Sequence, residues 1–211
     1  RHTRLVSDWS SDVCSADLST LIVIKIDALA FQSRHPIGIS IPQTSITTIA
    51  DKTDNTMACP IPEDEAQRLE ALRSYEILDT PPEVDFDALT RVAAHTFDTP
   101  AAVVGLMDAG RLWFKSRLGV DEPQLDRQIA FCAYAIMEPE KTLIVKDLKS
   151  DPRFEDNPLV TQPPNLRFYA GAPIVARSGH ALGTIAIADI KPRSFSVVDG
   201  VKAGLFAAAW K

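Results

Sequence analysis

The residues whose types could do chemistry are few. The chain carries three cysteines and four histidines. Cys14, Cys59 and Cys132 form no C-x-x-C pair and stand in no His/Cys cluster, so neither a zinc site nor a disulfide scaffold is indicated. His95 and His180 have no Cys, His or carboxylate at ligand spacing, and solvated or turn roles fit them better than metal or haem ligation. Cys132 stands in the apolar run "IAFCAYAIM", where a free thiol acts as a small hydrophobe. The Pro-punctuated loop "DPRFEDNPLV" offers more. Arg153 and Asn157 supply fork and amide donors, Phe154 an apolar lid, and Arg167 stands at the mouth of the next strand. Together they suit a small anionic or aromatic ligand. The competing reading is self-packing: Arg153 paired with Asp151 or Asp156, and Phe154 tucked into the core.

The stretch "RFYAGAPIVARSGHALGTIAIAD", 167–189, reads as a hairpin. Alternation puts Phe168, Ala170, Ala172 and Ile174 on one face and Tyr169, Gly171, Pro173 and Val175 on the other. Gly and Pro are costly inside a strand, so the second face is either a pocket wall or a bulge that bends the sheet.

The elements that must hold these residues follow from pattern. Glu63-Asp64-Glu65 opens a helix whose apolar face is Leu69, Leu72 and then Tyr75 or Leu78, stopped by Asp79-Thr80-Pro81-Pro82. A second helix carries Phe86, Leu89, Val92, Ala93 and Phe97 and ends at Asp98-Thr99-Pro100. "AAVVGLMD" is a buried strand that turns at Asp108-Ala109-Gly110. "RLWFKSRL" follows, with Leu112, Phe114 and Leu118 on one face and Trp113, Lys115 and Arg117 on the other. Residues 119–128 read as loop, and 129–137 as helix or buried strand. "KTLIVKDL" gives a short strand. The hairpin and a final helix from Ser196 to Trp210 complete the order. Regular crossover helices between strands are missing from this pattern. The expected class is therefore α+β, an antiparallel sheet with helices packed on a face.

The ends read differently. Asp8 to Leu18, "DWSSDVCSADL", resembles the translation of a common sequencing-library adapter, differing only at Ala16. Residues 19–56 show no sustained helical stripe, and Met57 precedes the first orderly segment. The expectation is that 1–56 is not native sequence and that the domain proper is 57–211.

With the elements placed, "EAQRLEALRSYEILDTPPEVDFDALTRVA", "WFKSRLG", "FCAYAI", "DPRFEDNPLV" and "RFYAGAPI…GHALGTIAIAD" resemble the GAF domains at the head of bacterial signalling proteins. Such proteins include sensor histidine kinases, diguanylate cyclases and cyclic-di-GMP phosphodiesterases. The resemblance implies a GAF/PAS-like antiparallel sheet, terminal helices on one face and a ligand pocket on the other. It also implies an output domain beyond Lys211 and a homodimer through the terminal helices, for which exposed Leu72, Leu205 or Trp210 would be the motive. The pocket is expected between the sheet and the irregular middle. Phe131, Tyr134, Phe154 and Tyr169 would be its apolar walls, and Arg153, Asn157 and Arg167 its orienting polar groups.

The family often has His where this chain has Tyr134, and Ala133 follows Cys132, so a bilin thioether is not indicated. No haem or zinc is indicated either. A GAF-fold methionine sulfoxide reductase would need an exposed nucleophilic Cys with a resolving partner. The net charge of −6 argues against a broad nucleic-acid face, and the run 21–31, which contains Lys25 and Asp27, is too short to span a membrane. Cysteine usage fits the cytoplasm. Three function classes stay open: a non-catalytic sensory domain binding an unidentified small molecule and controlling an attached output, a ligand-free dimerisation module, and the reductase.

Overall fold

The computed structural model describes residues 59–194. The expectations about 1–56, Met57, Cys14 and the helix from Ser196, with Leu205 and Trp210, lie outside the described residues.

Helix α1 spans Glu65–Ser74 and helix α2 Val84–Phe97. Six strands follow: β1 Ala101–Met107, β2 Arg111–Leu118, β3 Gln124–Asp126, β4 Leu143–Val145, β5 Phe168–Val175 and β6 Ala181–Asp189. Two short helices, α3 Cys132–Ala135 and α4 Pro158–Thr161, lie in the irregular middle. The sheet order is β3-β2-β1-β6-β5-β4, antiparallel throughout. The α+β class and the antiparallel sheet stand as expected.

The two sheet faces are covered differently. Phe168, Ala170, Ala172 and Ile174 of β5 pack with Ile185 and Ile187 of β6 beneath Ala93 and Ala94 of α2. Tyr169, Ala186 and Phe114 face the irregular middle, against Phe131, Phe154, Leu159 and Leu166. Strand periodicity is the cause: successive side chains alternate faces, so one continuous apolar strand feeds two cores.

Three local expectations need correction. Helix α1 stops at Ser74, not at the proline pair, and Glu76 and Asp79 take positive φ values of 51° and 59°. Tyr75 is therefore exposed, Ile77 and Leu78 pack separately, and the helix buries Arg68 beside Leu72. Leu72 is 0% exposed and packs on Leu106, Trp113 and Leu182, so it offers no surface for association.

The faces of β2 also depart from strict alternation. Gly105 pairs with Phe114 while Val104 pairs with Ser116, which leaves Lys115 as an extra residue in β2. A bulge of this kind shifts the side-chain phase by one residue. Leu118 consequently joins the α2 core rather than sharing a face with Leu112 and Phe114, and Ser116 bonds Thr90 and Asp87 of α2. Finally, 119–128 is not all loop, because β3 pairs with Arg111–Trp113 at the sheet edge.

Lys115 is buried by this geometry and fully engaged. Its Nζ donates to Thr80 Oγ1 at 2.7 Å and to the Pro81 carbonyl at 2.8 Å, pairs with Glu83 and lies over the Phe86 ring. The link between α1 and α2 is held to the sheet by this ammonium and by Arg111, whose two Nη groups pair with Asp79.

Candidate functional site

The irregular middle forms a lid over the β5–β6–β1–β2 face. Its polar groups are spent on local structure. Asn157 accepts from Leu159 N to cap α4, and its amide donates to Ile129 O at 3.0 Å, tying the two ends of the lid together. Asp147 caps the turn Leu148–Ser150 and takes a two-point ion pair from Arg167, both contacts 2.7 Å. The Arg167 guanidinium holds the Asp147 carboxyl down, from an ordinary 3.8 to about 2. Arg153 pairs with Asp151 through Nε and Nη2, and its guanidinium lies over the Phe154 ring.

Four aromatic rings follow inward. Phe154 is fully buried, edge-on to Phe131 at 5.2 Å and to Tyr134 at 4.8 Å, and Phe131 meets Tyr169 at 5.3 Å. Edge-to-face contacts at these spacings add to the burial term. Between this aromatic layer and the sheet lies an apolar cavity of about 60 Å³, bounded by Phe131, Cys132 and Tyr169 and, from the sheet, by Leu112, Phe114 and Ala186.

Cys132 lines the cavity, and its sulfur is hydrogen-bonded. Tyr169 Oη donates to Cys132 Sγ at 3.3 Å and Thr184 Oγ1 does so at 3.0 Å. Burial still pushes the Cys132 thiol up, against the lowering effect of those bonds, and pushes the Tyr169 phenol well up. A thiol with a raised pKa and 3% exposure is a poor nucleophile.

Of the seven residues the sequence put forward, the structure gathers Phe131, Tyr134, Phe154 and Tyr169 into one aromatic cluster. Only Phe131 and Tyr169 of these touch the cavity. Arg153 and Arg167 are partly exposed and bonded to Asp151 and Asp147, while Asn157 is buried within the lid, bonded to Ile129 and Leu159; none of the three lines the cavity. The sheet-side walls Leu112, Phe114 and Ala186 went unnamed in the sequence, although the alternation of "RLWFKSRL" already set Leu112 and Phe114 on a common face. Among the described residues no group of three or more His, Cys, Asp or Glu side chains could hold a metal ion, and no helix is long and apolar enough to cross a membrane.

A six-stranded antiparallel sheet with helices on one face and a cavity under a lid on the other defines an α+β domain. The chain belongs to the GAF domain family, whose profile matches residues 81–199. It is 38% identical over 134 residues to a cyclic di-GMP phosphodiesterase of Pseudomonas aeruginosa, covering 64% of this chain and 23% of that protein. The chain thus spans about a quarter of that relative's length.

Among solved structures, the GAF domain of an Acinetobacter phosphoenolpyruvate-protein phosphotransferase superposes with a TM-score of 0.50 at 16% identity, over 68% of this chain and 90% of that one. A free methionine-R-sulfoxide reductase from Neisseria meningitidis, in complex with its substrate, superposes with a TM-score of 0.50 at 15% identity, over 74% and 93%. At such identities the likeness is one of fold alone.

Proposed function

We propose that this domain is a non-catalytic input module of a longer cytoplasmic signalling protein, a cyclic-di-GMP enzyme or a histidine kinase, and that it works by binding a small ligand between sheet and lid. The observation that carries this reading is the apolar cavity against Phe131 and Tyr169. It lies where a ligand would push directly on the aromatic stack that holds the lid.

At about 60 Å³ the cavity admits only a few heavy atoms, since an apolar site of roughly 150 Å³ is needed for a benzene-sized guest. A larger ligand requires the Phe131–Phe154 stack to move outward. The binding energy is then coupled to a lid displacement, and a ligand regulates only through its differential affinity for the two arrangements. Arg167 and Arg153 would exchange their carboxylate partners for the ligand once the lid has lifted. The methionine sulfoxide reductase reading is weakened by the buried, protonated Cys132.

A second reading is favoured by the same polar groups. Arg153, Asn157 and Arg167 are each satisfied by their own chain, as in a ligand-free module whose lid is locked and whose role is dimerisation through terminal helices. Thermal-shift screening of small apolar compounds, metabolites and nucleotides separates the two. The binding reading expects a stabilising compound whose effect is lost in Tyr169→Ala and weakened in Arg167→Ala. Stabilisation that survives both substitutions would place the site elsewhere. A panel without any hit, together with a dimer in light scattering, would favour the locked module.

A further inference from the structure

The bulge at Lys115 re-aims one charged side chain. Ser116 bonds α2 and Leu118 joins the α2 core. Arg117 stands between them in β2, so it faces the other way, toward the lid side of the sheet. Uninterrupted alternation put it with Trp113 and Lys115. The extra residue instead moves it onto the face of Leu112 and Phe114, both of which line the cavity.

Arg117 there ends a rung that crosses the cavity floor. Arg117 pairs with Val103, Val103 with Ala186, and Ala186 with Gly171. The Tyr169 ring closes the far end by lying over Gly171. Between the two ends the floor is low, because Ala101, Ala186 and Ala188 offer only methyl groups. The near end is open. Val103, Val120 and Pro164 line the cavity and are half-buried, and Val120 follows Arg117 by three residues. Ala186 lies two strand spacings, about 10 Å, from Arg117.

The guanidinium at this open end is exposed and makes no hydrogen bond or ion pair among the described residues. Arg153 and Arg167 would have to give up Asp151 and Asp147 to meet a ligand, whereas Arg117 gives up nothing. Asp121 and Glu122 follow Val120, so the rim carries both signs. Selection of an anion therefore rests on direct contact with the Arg117 fork, not on a broad field.

Resting on the binding reading above, we infer that the ligand is a short-chain monocarboxylate. Its carboxylate sits on Arg117 at the open end, and its alkyl chain lies over Val103 and Ala186 toward Tyr169. A void of about 60 Å³ takes a short alkyl chain and rejects a ring, which needs roughly 150 Å³. A chain of about four to six carbons matches the 10 Å of floor. Such a ligand enters past Val120 and Pro164 without lifting the Phe131–Phe154 stack.

The test titrates butanoate into the 211-residue chain at constant ionic strength, beside butanol and butylammonium, and follows isotope-labelled alanine and valine methyl resonances. Butanoate should shift the Val103 and Ala186 methyl groups saturably, and should bind about fivefold to tenfold more tightly than butanol. Lengthening the acid should tighten binding by about fourfold per methylene until the floor is covered. Arg117→Gln should remove the advantage of butanoate over butanol. Arg91→Gln, the same charge change at an exposed position of α2 on the opposite face, should keep it. If none of the three compounds shifts these methyl groups, the binding reading itself fails and the inference with it. If butanol or butylammonium binds there as tightly as butanoate, or if Arg117→Gln leaves the preference intact, the carboxylate assignment is overturned and the apolar site survives. The comparison of the three compounds is made on the wild-type chain, so it decides the matter whatever Arg117→Gln does to the fold.

Discussion

The Tyr169 ring lies across Gly171. A Cβ built on Gly171 would come within 2.1 Å of Tyr169 Oη, and from that place the hydroxyl donates to Cys132 Sγ. Glycine is thus required by a close approach within its own strand, two residues along the same face, and the approach aims the phenol at the cavity rim. Gly171→Ala must turn the Tyr169 ring out of this position. The expected loss is about 1–3 kcal/mol, the range of a small-to-large change in a packed core. Urea denaturation measures it. The double change Gly171→Ala with Tyr169→Ala should cost less than the sum of the two single changes, because the clash is removed with the ring.

Arg167 and Asp147 give a pH prediction. The folded Asp147 carboxyl titrates near about 2, below its ordinary 3.8. A carboxylate whose pKa is depressed by folding stabilises the fold fully above the unfolded value and loses that contribution as pH falls through the folded one. Between about pH 4 and pH 2 the wild type should therefore lose stability faster than Asp147→Asn. The effect is modest because both side chains are partly in water, 32% and 24% exposed, where screening weakens an ion pair. Melting temperatures of the two proteins across that range check it, and parallel curves would mean that the pair contributes nothing.

Much of this architecture was legible because it rests on periodicity. The hairpin's two faces followed from strict alternation, and Asp98-Thr99-Pro100 marked the end of α2, where Asp98 indeed takes φ 49°. What escaped has identifiable physical causes. The bulge at Lys115 escaped because "RLWFKSRL" also fits uninterrupted alternation, and local pattern does not show which residue is extra. Arg68 breaks the stripe of α1, because its charge is neutralised by Glu65 three residues earlier and its remaining donors find carbonyls from β1 and β6. For Arg153 the self-packing alternative, with Asp151 as partner, matches the structure, whereas the Asn157 cap and the Arg167–Asp147 pair stood in neither reading. Their absence from the cavity wall depends on long-range packing of Phe154, which no local spacing encodes.

Lys115 should behave as a structural pin. Replacing it with Met keeps the aliphatic stem but strands Thr80 Oγ1 and the Pro81 carbonyl, both of which now accept from Nζ. Losing bonds to a buried charged donor costs on the order of 1–3 kcal/mol. The local signature is more specific than the global one. Amide hydrogen exchange should accelerate in residues 78–84, between α1 and α2, while β5 and β6 keep their protection. Uniform acceleration across the sheet would contradict a local pin.

The cavity itself can be filled from the sheet side. Ala186 lies on the cavity wall, pairs with Val103 and Gly171 in the middle of the sheet, and is 3% exposed. Ala186→Val adds two methyl groups toward a space of about 60 Å³, and a β-branched residue suits a central strand. Filling a void without forcing rotamers changes stability by less than about 1.5 kcal/mol in either direction. Ligand response should change far more. A compound that raises the melting temperature of the wild type through the cavity should lose most of that effect in Ala186→Val, and Phe131→Leu, which opens the opposite wall, should admit larger members of the same series. If Ala186→Val keeps the full ligand response while its own stability is unchanged, the cavity is a packing defect and the binding site lies outside it.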